Sequence, residues 1–139
     1  MFGELILIEA PEFQNIIGEQ DPSQDRVSST WKSLNEFHFE SLYEILLKSS
    51  SNNMPNAELK VLTSESGDVW VIRLPFALVN LIKERADKDN ESIVREWSST
   101  DEFKWLFKED DVRKLLEDLV ELSIQAVKLN KELIYWGRL

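Results

Sequence analysis

Apolar and polar positions along this chain follow two different periods. The run Leu5-Ile6-Leu7-Ile8, inside GELILIE (3–9), is short and continuous and is stopped by Pro11. A run of that length bounded by a breaker predicts a strand. A second run, Val69-Trp70-Val71-Ile72, follows Leu59–Thr63 across Ser64-Glu65-Ser66-Gly67-Asp68. Two β-prone runs joined by a short glycine-containing turn predict a hairpin over 58–74. The second run has hardly a polar residue, so it is expected inside a sheet, with strand 3–9 added beside it.

Elsewhere the spacing is three and four. Leu34, Phe37, Ser41 and Ile45, with Phe39, Leu42 and Leu46, predict a buried helix over 33–49. Ser33 and Glu36 have capping-box spacing at its start. Pro75 suits the first position of a helix that puts Leu78, Val79, Ile82 and Ala86 on one face. Asn90 is expected to cap a short helix over 91–97. Ser99 and Glu102 repeat the capping-box spacing, which predicts another short helix from Thr100. The longest helix is expected over 109–133, on a stripe from Val112 to Leu133, with Asp110 and Asp111 at the positive end of its dipole. Residues 11–17 read as a short helix, 19–29 and 49–56 as loops, and 133–139 as a last strand. The expected fold is α+β in a single domain, 1–139. A small antiparallel sheet, built from hairpin 58–74 and strand 3–9, packs against four or five helices.

The aromatic residues pose the main question about a site. Trp97 closes one expected helix, while Phe103, Trp105 and Phe107 follow in the next. Phe103 and Phe107 share a helical face, which suits a corner packed with Trp97. Trp105 falls off that face and is the better interface anchor. Trp70, Trp97, Tyr135 and Trp136 are the residues that could line a pocket between sheet and helices.

His38 is the only histidine and lies close to the apolar stripe of its helix. Glu36 and Glu40 share one helical face and His38 falls on another, so the three do not converge on a metal. A buried structural histidine is the expectation. The acids Asp110, Asp111, Glu117, Asp118 and Glu121 lie among Arg113 and Lys114, which suggests a solvated, ion-paired face. The chain holds no cysteine, so disulfides, thiolate metal sites and cysteine nucleophiles are excluded. It contains none of the glycine-rich nucleotide loops, zinc motifs or serine elbows that carry a recognisable mechanism. No catalytic residue, cofactor or metal is expected.

Charge adds one more element. The net charge of −10 disfavours a phosphate-binding face, and with it nucleic acid. No apolar run approaches the ~20 residues of a membrane span. The N-terminal stretch has acids where a secretory leader has basic residues, which reads as a soluble, cytoplasmic chain. Six acids and one base fall within residues 1–30, a net of −5, or half the total. Together these features favour a non-enzymatic, protein-binding domain of inhibitor or immunity type. Glu12, Glu19, Asp21, Asp25 and Trp105 would face a basic partner. The alternatives are a small-ligand binder or enzyme using the aromatic pocket, and a structural subunit of a larger assembly.

Overall fold

The computed structural model describes residues 2–48, 58–86, 88–104 and 107–139. Five strands form one antiparallel sheet: β1 (Phe2–Ile8), β2 (Ser28–Thr30), β3 (Lys60–Thr63), β4 (Val69–Arg73) and β5 (Glu132–Arg138). Their order across the sheet is β2-β1-β5-β4-β3. Four α-helices accompany them among the described residues: α1 (Glu36–Lys48), α2 (Phe76–Leu81), α3 (Asn90–Ser98) and α4 (Glu109–Leu129). The chain is therefore α+β, as its patterning predicts.

The hairpin forms as β3 and β4, and Gly67 takes the left-handed conformation its turn requires (φ 78°). The expected neighbour of β4 differs. The terminal run β5 is the central strand and separates β4 from β1. All but the ends of β5 are buried, so it reads as continuously apolar for the reason β4 does. The third addition, β2, comes from a polar stretch expected to be loop. Its Ser-Ser-Thr pairs with Glu4, Leu5 and Ile6 as an edge strand, and no apolar pattern marks it.

The helix boundaries shift for local reasons. Ser33 sits at φ 67° and caps nothing. Asn35 starts α1 instead: its side-chain oxygen accepts the Phe37 N–H at 3.0 Å, and its own N–H donates to His38 Nδ1 at 3.0 Å. That is a capping box with histidine in the glutamate position. Asp89, not Asn90, takes the cap position of α3. Residues 10–14 and 16–18 wind as tight 3₁₀ turns rather than one helix. Pro75 precedes α2, which continues as a π-helical turn over Ile82–Ala86. The helix expected from Thr100 is only a turn over its described residues, 101–104, and Ser99 Oγ donates back to Arg95 O rather than forward. At its far end α4 stops at Asn130, which is left-handed (φ 54°) and leaves Leu133 to β5.

The two faces of the sheet are covered unequally. Leu5, Leu7, Ile72, Leu133 and Tyr135 face the helices and join the main core. Ile6, Ile8, Val71, Ile134 and Trp136 face the other way, where Phe13 and Ile16 of the 3₁₀ turns cover them. The segment that carries the acid-rich N-terminal charge is thereby clamped over the back of the sheet. The loop expected over 49–56 lies outside the described residues.

Candidate functional site

The expected aromatic corner is core. Trp97 and Phe103 are fully buried, with rings edge-on at 4.9 Å, and Phe107 meets Phe103 edge-on at 5.3 Å. The Trp97 indole N–H donates to His38 O at 2.9 Å. Trp105 lies outside the described residues. Trp97, Tyr135 and Trp136 are buried, and Trp70 is packed against the core with its N–H donated to Leu34 O at 3.3 Å. These four aromatics line neither of the two principal clefts among the described residues. Trp70, Trp97 and Tyr135 pack between sheet and helices, and Trp136 packs on the opposite face of the sheet.

His38 is 1% exposed. Because Nδ1 accepts the Asn35 N–H, Nε2 carries the proton and donates to Glu102 O at 3.0 Å. Burial holds its pKa below the ordinary value, against the raising effect of the Glu102 carbonyl. The ring ties α1 to the turn after α3. On α4, Arg113 pairs with Glu91 and Asp110 rather than with Glu117 and Glu121. Asp118 accepts Ser29 Oγ at 2.6 Å and the Trp31 indole at 2.8 Å, which anchors the polar edge strand to the helix layer. Among the described residues, no group of three or more His, Asp or Glu is arranged to hold a metal. No described helix is long and apolar enough to cross a membrane.

The acids of the N-terminal region do come together. Glu12, Glu19, Asp21 and Asp25 line one open depression of about 710 Å³, with Gln20, Gln24, Arg26 and Lys131. Turn geometry gathers them: the Gln24 N–H bonds Asp21 O, the Arg26 N–H bonds Ser23 O, and Asp25 is left-handed (φ 61°). Arg26 holds the depression together. Its guanidinium donates to Glu12 at 2.5 Å, to Glu19 at 2.6 Å and to Pro22 O at 2.7 Å. Glu12 also accepts the Glu9 N–H at 2.8 Å. The Arg26 hydrogen bond, then that of Glu9, holds the Glu12 carboxyl below its usual pKa.

The four acids are therefore not equivalent. Glu12 and Glu19 share the single guanidinium of Arg26, which leaves the three groups with a net charge of −1. Asp21 and Asp25 are exposed and make no ion pair among the described residues. Glu4, counted with the same charge in the sequence, is buried on the back of the sheet. A second acidic surface extends the helical face shared by Glu36 and Glu40: Glu44 continues the four-residue spacing on α1, and Glu102 lies close by. Partial burial, and then these neighbouring charges, raise the Glu40 pKa. The four-residue spacing alone could have revealed that extension.

Comparison with protein-family models, with curated proteins and with solved structures finds no match for this chain.

Proposed function

We propose that the protein is a non-enzymatic binding domain of inhibitor or immunity type, whose acid-rich depression receives a basic protein partner. The observation that carries this reading is the convergence of Glu12, Glu19, Asp21 and Asp25 on one depression. A disordered acidic tail would present charge without geometry. Here Arg26 cross-links the segment, so the two free carboxylates are held in place before any partner arrives. Preorganised charge of this kind raises association rates and selects against acidic partners.

The test is affinity capture from the native host with two baits, the natural chain and an Asp21→Lys/Asp25→Lys variant, eluted with salt. A basic protein retained by the first bait, released by salt and lost from the second supports the reading. Capture of the same proteins by both baits overturns it.

A further inference from the structure

A second cleft, of about 420 Å³, opens where α4 ends, α2 begins and β3, β4 and β5 meet. It is unlike the acidic depression. Leu74, Val79 and Leu133 form a buried apolar floor, and Val127 is half-buried beside them. Phe76 stands at the rim, 67% exposed. An aromatic side chain left that open beside an apolar floor has contact area to offer a ligand. The volume falls within the roughly 300–1,000 Å³ of small-molecule sites.

The charged residues around this floor favour one sign of ligand. Arg73 is engaged by Glu132 in an ion pair within the wall. Lys131 stands 3.9 Å from Glu9, a long contact with an exposed acid. Lys60 is exposed and makes no ion pair among the described residues, and Glu58 is the one acid at the rim without a basic partner there. The lining as a whole carries three cations, Lys60, Arg73 and Lys131, against two acids, Glu58 and Glu132, a net of +1 in a chain whose net charge is −10. The end of α4 does not reverse this. Its Ala126 carbonyl accepts the N–H groups of Asn130 and Lys131, so it turns its lone pairs to its own chain.

We propose that this cleft binds a small anionic amphiphile: an apolar body on Leu74, Val79 and Phe76, with a carboxylate at Lys60. The site is independent of Asp21 and Asp25, and shares only Lys131 with the acidic depression. It stands or falls apart from the binding of a basic partner.

Octanoate, octanol and octylammonium carry one chain and three head groups, and each is titrated into the full chain while the amide NMR shifts of Phe76, Val79 and Val127 are followed. Octanoate is expected to saturate these shifts about fivefold more tightly than octylammonium, with octanol between them, as suits one rim charge. Lys60→Gln should abolish that preference and Glu58→Gln should enlarge it. Both side chains are exposed, so neither change threatens the fold. Shifts that fail to saturate at the cleft, equal binding of the three probes, or a preference that survives Lys60→Gln would overturn the proposal.

Discussion

A buried indole gains from its area only if its N–H finds an acceptor. Trp97 satisfies both conditions, through the apolar corner around it and the carbonyl of His38. Trp97→Ala is expected to cost about 3–5 kcal/mol, as other large-to-small core changes do. A loss below about 1 kcal/mol in denaturant melts would show that the corner collapses around the gap. His38 gives a pH signature at the same corner. Its folded-state pKa is depressed by burial, so the unfolded chain takes up the proton more readily. The stability it contributes is present above its ordinary value of about 6.5 and is lost as pH falls through the lower folded-state value. Melting at pH ~7.5 and ~5.5 should therefore show a larger drop for the natural chain than for His38→Gln. Equal drops in the two proteins would remove the histidine from the acid response. The Glu12 carboxyl acts lower, below its ordinary carboxylate range, and leaves this window clear.

At the scale of elements, the central strand depends on two glycines. A Cβ on Gly137 would lie 2.5 Å from the Trp70 ring, and one on Gly3 would lie 1.8 Å from the Tyr135 hydroxyl. That hydroxyl donates to Trp31 O at 2.7 Å and accepts the Leu34 N–H at 3.2 Å. Gly137→Ala should destabilise the sheet by about 1–3 kcal/mol through overpacking, read as a lower denaturant midpoint. An unchanged midpoint would mean that Trp70 swings clear. Such glycines mark what the sequence hides. The strands over 3–9 and 69–74 were legible because Leu5–Ile8 and Val69–Ile72 within them are apolar without interruption. The edge strand Ser28–Thr30 was not, because Asp118 and backbone pairing hold it rather than apolar burial. The cap of α1 was misread for a related reason: Ser33 has the better spacing, but Asn35 and the His38 ring have the geometry. The acidic site was half legible. Its residues could be counted, but Arg26 was needed to show which of them stay free.

For the molecule as a whole, charge is distributed over two acidic surfaces and one mixed cleft. If the N-terminal depression is the docking surface, Asp21→Lys with Asp25→Lys should slow association with a basic partner severalfold. The effect should shrink as salt rises, and the melting temperature should hardly move. Glu40→Lys on α1 is the matched control. It removes a carboxylate crowded by Glu36, Glu44 and Glu102, so it should stabilise the fold by a few tenths of a kcal/mol. It should leave association nearly unchanged. Equal slowing by both variants would point to net charge instead of a docking surface.

The central position of β5 has a kinetic consequence. Its pairing with β1 runs from Phe2↔Arg138 to Ile8↔Glu132, joining segments more than a hundred residues apart in the chain. The pair β2–β1 and the hairpin β3–β4 touch in the sheet only through β5. Until it docks, two half-sheets and a helix layer must exist without the strand that unites them. Long-range closure of this kind is entropically late and slow. Contacts made by β5 should then be largely absent from the transition state. Leu133→Ala, at the buried start of the strand, should speed unfolding and leave the refolding rate nearly constant, whereas Leu119→Ala in α4 should slow refolding. A refolding arm that drops as far for Leu133→Ala as for Leu119→Ala would place β5 in the nucleus and make it the organiser of the sheet instead of its final insertion.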